Sequence, residues 1–149
     1  MSMDIPSLVQ TSCNLGIFHV TDGVLTAVSS VRSSVATQKQ MLLTRFDALS
    51  QLLGGSLQVT GAYPAWEYRR ASALREKLVE VYRAQTGKEP KIEAIHAGLE
   101  CSIIRQHLPD MDMISIGPDM KNIHSPDEAL DLDSVEHFCQ ILRLVLERL

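Results

Sequence analysis

The dipeptide Asp22-Gly23 places the strongest constraint on how this chain can fold. It interrupts a run rich in Val, Thr, Ile and Phe over residues 8–20, and a second arm follows from residue 24 to about residue 32. Both central positions of a tight hairpin turn need a positive φ, and Asp and Gly tolerate that conformation. The pattern therefore predicts an antiparallel β-hairpin in the first part of the chain.

A helix and a further strand are predicted after the hairpin. The helix would begin after Ser33 or Ser34, either of which can serve as its N-cap, and it would stop at Gly54-Gly55. Residues 57–61 alternate apolar and polar, which predicts a short half-buried strand. Two strands, a helix and a strand would form one antiparallel α/β layer. The apolar positions of the helix recur at steps of seven, four, three and four: Val35, Leu42, Phe46, Leu49 and Leu53.

The region after the break at Gly61-Ala62-Tyr63-Pro64 alternates between helix and strand, as parallel α/β layers do. Parallel sheets are normally buried on both faces, and a sheet of two strands with helices does not cover itself. Either the sheet continues in sequence or in a chain outside this one, or its strands are short and well covered. The predicted elements are a helix with Leu74, Leu78, Val81 and Tyr82 on one face that closes at Gly87, a strand over 91–95, a helix over 99–106, a strand over 111–116, and a last helix with Val135, Phe138, Leu142, Val145 and Leu149, capped by Asp133 or Ser134.

Charge and cysteine usage exclude several classes of function. The chain has 149 residues and a formal net charge of -4, with acidic and basic residues interspersed, so no basic face can neutralise the phosphates of a nucleic acid. The three cysteines, Cys13, Cys101 and Cys139, are widely spaced, which predicts neither a disulfide framework nor a thiolate zinc site. No signal peptide and no membrane-length apolar run is found. We expect no membrane partner and a cytoplasmic location.

Two polar loops follow predicted strands, and open α/β sheets place their sites at such positions. The first spans residues 96–101, and the second spans residues 117–128 and contains His124. A neutral imidazole is the commonest metal ligand, and the carboxylate of Asp127 or Glu128 would orient its other ring nitrogen. The alternative is a surface histidine beside acidic residues that serve only the turn and the start of a helix.

Three other residues are candidates for substrate binding. Gly98 has no Cβ, so its backbone allows a close approach by a ligand. Glu100 lies at the start of the short helix, where a carboxylate is favoured in any case. The Arg32 guanidinium, at the end of the second hairpin arm, would hold a carboxylate by two parallel hydrogen bonds, or it is simply an exposed strand-end arginine. Cys101 has no adjacent base, so we assign no catalytic nucleophile.

Four elements, taken together, resemble the aminoacyl-histidine dipeptidases, which are also known as Xaa-His or cytosol nonspecific dipeptidases and belong to the di-zinc exopeptidases. They stand in the order seen in that family, and Thr11-Ser12-Cys13-Asn14-Leu15-Gly16 is also similar to it. The resemblance covers nearly the whole chain. The four elements are Gly61-Ala62-Tyr63-Pro64, His96-Ala97-Gly98-Leu99-Glu100-Cys101, Met111-Asp112-Met113 through Gly117-Pro118, and His124-Ser125-Pro126-Asp127-Glu128.

The resemblance implies a fold and a reaction. Residues 1–63 would be the second half of an antiparallel two-layer lid of the dimerisation type, and residues 64–149 the C-terminal segment of an α/β catalytic domain. The implied activity is hydrolysis of Xaa-His dipeptides such as carnosine by an enzyme that holds two zinc ions and forms a homo-oligomer. His124 would be a zinc ligand, Arg32 would engage the carboxylate end of the dipeptide, and Gly98 and Glu100 would belong to a loop that lines the substrate.

The chain also departs from the family pattern. The family's bridging aspartate, general-base glutamate and other metal ligands lie in an N-terminal half that this sequence lacks. We therefore expect no activity from the chain alone, at most one weak zinc site, and that missing half as a partner. The alternative is a non-catalytic interaction or dimerisation module derived from the enzyme. Ser102 stands where the family usually has glycine, and residues 119–123 are larger and more charged than in relatives.

Overall fold

The structure is a computed structural model that describes residues 1–2, 4–5, 8–95 and 99–149. Its described residues form a mixed α/β arrangement with two antiparallel strand pairs and four helices, which confirms the predicted α/β class. Two compact units are present, one formed by Met1–Arg70 with Glu93–Asp110 and the other by Ala71–Ile92 with Met111–Leu149. The elements are β1 (Thr11–Thr21), β2 (Val24–Ser33), α1 (Ala36–Leu52), α2 (Ala73–Thr86), α3 (Glu100–His107), β3 (Met120–Lys121), β4 (Ala129–Leu130) and α4 (Leu132–Leu146).

In the first unit, β1 and β2 form the hairpin that the sequence predicts. Asp22 and Gly23 connect the strands, with φ of 50° and 76°, which is the left-handed conformation that this kind of turn requires. Gly16 is an extra residue between the pairs Leu15↔Ser29 and Ile17↔Val28, so β1 contains a β-bulge there. Apolar side chains of both strands remain exposed: Leu15, Ile17, Phe18, Val20, Val24, Leu25 and Val28.

Helix α1 follows the hairpin as predicted, but neither serine caps it. Val35 is the N-cap and provides no side-chain cap, because its side chain has no hydrogen-bonding atom. The Ser33 hydroxyl accepts from the Val35 amide at 3.0 Å and donates to the Val35 carbonyl at 2.9 Å. The first helical amide, that of Ala36, instead donates to the Glu67 carboxylate at 3.3 Å. A carboxylate at this end is favourable because the free amides carry partial positive charge. Gly54, with φ of 75°, follows the end of the helix.

The three further strands predicted from the sequence are absent from the described structure. Residues 57–61, 91–95 and 111–116 are not β-strands, and the ladders that form are β1 with β2 and β3 with β4. Alternation records which side chains are suited to burial, whereas a strand also needs a neighbouring backbone with which to exchange hydrogen bonds. The prediction of these strands from pattern alone was therefore wrong.

In the second unit, helices α2 and α4 pack against each other. Val81 of α2 and Val145 of α4 are 0% and 3% exposed, and they are the fully buried apolar side chains of the described residues. Helix α2 ends at Gly87, with φ of 67°, as predicted. The cap of α4 is Asp131, whose carboxylate accepts from the Ser134 amide at 3.2 Å, rather than Asp133 or Ser134. None of the described helices is long and apolar enough to cross a membrane.

Candidate functional site

His124 lies in the loop that connects β3 to β4 in the second unit. The strands pair Met120 with Leu130 and Lys121 with Ala129, which closes the base of the loop. Below that pair, the Asp131 amide donates to the Asp119 carbonyl at 3.0 Å. The Asp119 amide donates to the Ser134 hydroxyl at 2.8 Å, and Ser134 is in the first turn of α4. The base of the loop is therefore attached to a helix.

The interior of this loop is held by its own hydrogen bonds. The Asn122 carbonyl accepts from both the amide and the hydroxyl of Ser125, at 3.1 and 2.7 Å, and the Ser125 carbonyl accepts from the Glu128 amide at 3.1 Å. The Asp127 amide donates to the Ser125 hydroxyl at 3.2 Å, and the Asn122 side-chain amide donates to the Asp127 carbonyl at 3.3 Å. None of these bonds involves His124. The loop therefore has a defined shape that does not depend on its histidine.

The backbone of His124 is held in an uncommon conformation. Its φ is 67°, and its amide N–H donates to Oε2 of Glu128 at 2.8 Å. We expected the carboxylate of Asp127 or Glu128 to orient a ring nitrogen, but Glu128 binds the main chain of the histidine instead. The residue is exposed, and no hydrogen bond to its ring is seen in the described part of the chain. The imidazole is thus presented to solvent.

The described residues do not make a complete metal site. No group of three His, Cys, Asp or Glu side chains suited to one metal ion is found among them. A catalytic zinc site needs three protein ligands, whereas His124 offers one imidazole. His124 suits zinc as a single donor, and the described residues by themselves do not provide the donor set of a two-zinc centre.

Two of the predicted substrate-binding residues, Arg32 and Glu100, belong to the first unit. Arg32 is exposed on β2 and pairs with Ser12 of β1. Glu100 is exposed in the first turn of α3. No ion pair between Arg32 and Glu100 is found in the described structure. Gly98 lies outside the described residues.

Residues Cys101 and Ser102 follow Glu100 on α3. Ser102 is 1% exposed, and its hydroxyl donates to the Leu99 carbonyl at 2.6 Å. The Ser102 side chain is thus directed to the start of its own helix. Burial raises the pKa of the half-buried Cys101 thiol, which disfavours the reactive thiolate.

A cleft of about 640 Å³ in the first unit was not foreseen from the sequence. The Lys39 ammonium donates to the Tyr63 carbonyl and stands 5.2 Å from the centre of the Tyr63 ring. The Glu67 carbonyl accepts from the Arg105 guanidinium at 3.3 Å, and the Glu67 carboxylate binds α1. These charged groups of the cleft are engaged in holding chain segments together. The residues that form the cleft come from separate stretches of the chain, so no local sequence pattern would have revealed it. It is lined by Ala36, Lys39, Gln40, Ala62, Tyr63, Pro64, Ala65, Glu67, Ser102, Arg105 and Gln106.

Comparison with known proteins gives a consistent result. The cytosol non-specific dipeptidase of Escherichia coli K12 is 35% identical over 142 residues, which cover 95% of this chain and 29% of that protein. The crystal structure of the aminoacylhistidine dipeptidase from Vibrio alginolyticus superposes with a TM-score of 0.89 at 32% identity, and covers 100% of this chain and 30% of that one. Aminopeptidase PepT from Bacillus cereus has a TM-score of 0.72 at 16% identity, over 93% of this chain and 39% of that one, and shows a shared fold alone.

The extent of these matches defines what they show. The chain spans less than a third of the length of the two dipeptidases, and it resembles them over nearly all of its own length. Residues 8–148 match the family model described as peptidase family M20/M25/M40. Since that match covers nearly the whole sequence, the chain belongs to peptidase family M20/M25/M40.

Proposed function

We propose that this chain is the C-terminal part of a zinc-dependent dipeptidase that hydrolyses Xaa-His dipeptides such as carnosine. The observation that carries the proposal is the similarity to two dipeptidases, at 35% and 32% identity, over almost the full chain. Residues 1–63 are assigned to the second half of the lid and residues 64–149 to the catalytic domain. A cytoplasmic location is supported by the name of the Escherichia coli relative, a cytosol non-specific dipeptidase.

Within that enzyme, this chain contributes one metal ligand. The exposed imidazole of His124, on a loop held by its own hydrogen bonds, is suited to bind a zinc ion whose other ligands come from the missing N-terminal half. Two zinc ions are expected in the intact enzyme and at most one weak site in this chain. Zinc sites with fewer ligands bind more weakly, because affinity follows the number and arrangement of donors.

Arg32 is proposed to bind the carboxylate end of the dipeptide, and the loop with Gly98 and Glu100 to line the substrate. Arg32 is exposed on β2, so its guanidinium is accessible to a ligand. A planar guanidinium binds a carboxylate through two parallel hydrogen bonds, which lysine does not reproduce. In an active assembly, Arg32→Lys should therefore raise KM for the dipeptide. KM for an N-terminally blocked substrate with the same carboxylate should rise by the same factor.

The first test of this proposal is the activity of the chain alone. With zinc and an aminoacyl-histidine substrate we expect no turnover, because the described residues contain no group of three ligands for one metal ion and the resemblance implies that the general base lies in the N-terminal half. Turnover that copurifies with the chain would contradict the proposal. A preparation of the His124→Ala variant controls for a contaminating dipeptidase, since contaminant activity would be the same in both.

The second test asks whether the chain can act as part of a dipeptidase. In a chimera, this chain replaces the 142-residue matching region of the Escherichia coli enzyme. We expect dipeptide hydrolysis from the chimera and its loss in the chimera with His124→Ala, with equal thermal unfolding of the two. A folded chimera that is inactive, or one that is indifferent to His124→Ala, would contradict the assignment.

The exposed hairpin favours a second candidate function, a non-catalytic interaction or dimerisation module. Seven large apolar side chains of β1 and β2 are exposed, and exposed apolar patches of this kind mark interaction surfaces. Homo-oligomerisation is expected under both proposals. Sedimentation at several concentrations together with zinc calorimetry distinguishes them, because a stable dimer that takes up no zinc favours the module and a zinc-binding chain favours the enzyme part.

A further inference from the structure

We propose that Glu128 is a positioning residue that sets the direction of the His124 imidazole by holding the main chain of that histidine. The inference rests on the proposed function in one respect, namely that His124 is the residue whose side chain matters. The claim that the Glu128 carboxylate holds the His124 backbone does not depend on that function, and it is tested separately.

The conformation of His124 needs a specific stabilising contact. Its φ of 67° lies in the left-handed region, which a residue with a Cβ adopts only at a cost in free energy. The Ser125 amide donates to the Asn122 carbonyl at 3.1 Å, which places His124 at the third position of a β-turn, where a positive φ occurs, but this bond does not use the His124 amide. The contact that reaches its backbone is the 2.8 Å bond from its amide to Oε2 of Glu128.

The geometry of the loop allows Glu128 to do this without being a ligand itself. The Glu128 amide is bonded to the Ser125 carbonyl, and Ala129, the next residue, pairs with Lys121 in the β3–β4 ladder. The backbone of Glu128 is thus fixed at both sides, and its side chain reaches back across the loop to His124. A charged acceptor gives a stronger bond to an amide than a neutral one.

The consequence is that the imidazole is aimed by its backbone. The direction of a Cα–Cβ bond follows from the backbone dihedrals, so a change from left-handed to extended conformation turns the ring to a different side of the loop. Because the ring has no hydrogen bond of its own in the described structure, its direction follows from the backbone, which the turn bond and the Glu128 carboxylate hold together. A ligand presented in this way needs little rearrangement when it binds.

Nuclear magnetic resonance on the full ¹⁵N-labelled chain tests the proposal. A strong intraresidue Overhauser effect between the His124 amide proton and its Hα marks a positive φ. We expect Glu128→Ala to weaken that effect and to speed hydrogen exchange of the His124 amide by about tenfold, the change that follows from losing one charge-assisted hydrogen bond. An unchanged Overhauser effect and exchange rate in this variant would overturn the proposal.

Two matched variants separate the hydrogen bond from the charge. Glu128→Gln retains an oxygen that accepts the same bond, so it should keep the Overhauser effect and most of the protection. Asp127→Asn removes a neighbouring charge and leaves the bond intact, so it should behave like the wild type. If Glu128→Gln behaves like Glu128→Ala, the effect is one of charge and the proposal is overturned. Equal loss of protection at Ser125 in Glu128→Ala would show general loosening of the loop and would also overturn it.

The outcome for the proposed function is measured apart from this. Zinc calorimetry of His124→Ala tests whether the imidazole is a ligand. The Overhauser effect at His124 tests the backbone conformation and does not depend on zinc binding. Loss of the backbone restraint in Glu128→Ala supports the positioning role even where calorimetry contradicts the zinc assignment.

Discussion

Replacing Asp112 with alanine should destabilise the second unit, because its carboxylate organises the start of α2. Oδ2 of Asp112 accepts from the Leu74 amide and from the Ser72 hydroxyl, each at 3.0 Å. Ser72 is the N-cap of α2, is buried, and accepts from the Arg75 amide at 3.1 Å. The same carboxylate thus binds a free amide of the first turn and directs the hydroxyl that caps it.

The size of the effect follows from these contacts. A hydrogen bond to a charged acceptor contributes about 1.5–3 kcal/mol, and partial exposure of Asp112 places its two bonds toward the low end. Loss of an N-cap such as Ser72 costs about 1 kcal/mol. We therefore expect Asp112→Ala to lower the free energy of unfolding by about 2–3 kcal/mol and Ser72→Ala by about 1 kcal/mol. The double variant should lose less than the sum, since the two residues share a bond.

Urea unfolding followed by far-ultraviolet circular dichroism measures these differences. Asp119→Ala, which removes an exposed aspartate of the same unit, is the control and should change the free energy of unfolding by less than about 0.5 kcal/mol. Asp112→Ala that unfolds at the same urea concentration as this control would refute the reasoning. Strict additivity of Asp112→Ala and Ser72→Ala would refute the claim that they act as one cap.

Three further predictions concern the core, the metal and the thiols. Val81→Ala should lower the free energy of unfolding by about 2 kcal/mol, measured by thermal or urea unfolding. The same change at the exposed Val20 should lower it much less, and equal losses would contradict the burial of Val81. Zinc calorimetry should show weak binding that His124→Ala abolishes, whereas tight stoichiometric binding would mean that further ligands exist. Because burial raises its pKa, the Cys101 thiol should alkylate more slowly than exposed Cys13 at a given pH, and mass spectrometry showing equal rates would oppose this.

Features that depend on a few adjacent residues could be predicted from the sequence. The hairpin follows from Asp22-Gly23, because a tight turn needs two residues that accept a positive φ. The end of α2 follows from Gly87, which takes the left-handed conformation at the helix terminus. The exposed placement of His124 follows from the polar loop in which it lies.

Features that depend on distant or competing partners could not be predicted from the sequence. A local pattern does not show whether residues 91–95 or 111–116 find a neighbouring strand. Glu67 binds the first amide of α1 from 31 residues away, and no helix-capping rule looks that far. Glu128 binds the backbone amide of His124, and its position in the sequence does not show whether it would bind that amide or the ring. In each case the missing information is a contact in space.

The two fully buried valines also have a calorimetric consequence. The heat capacity change on unfolding is set mainly by the apolar surface that becomes exposed, and a globular chain of this length typically shows about 2 kcal/mol/K. In the described residues, Val81 and Val145 alone are fully buried apolar side chains, and many large apolar residues are already in contact with water. The heat capacity change of this chain should therefore be well below that value. Its stability curve should be correspondingly flat, so that cooling weakens the fold less than it weakens a protein with a large core.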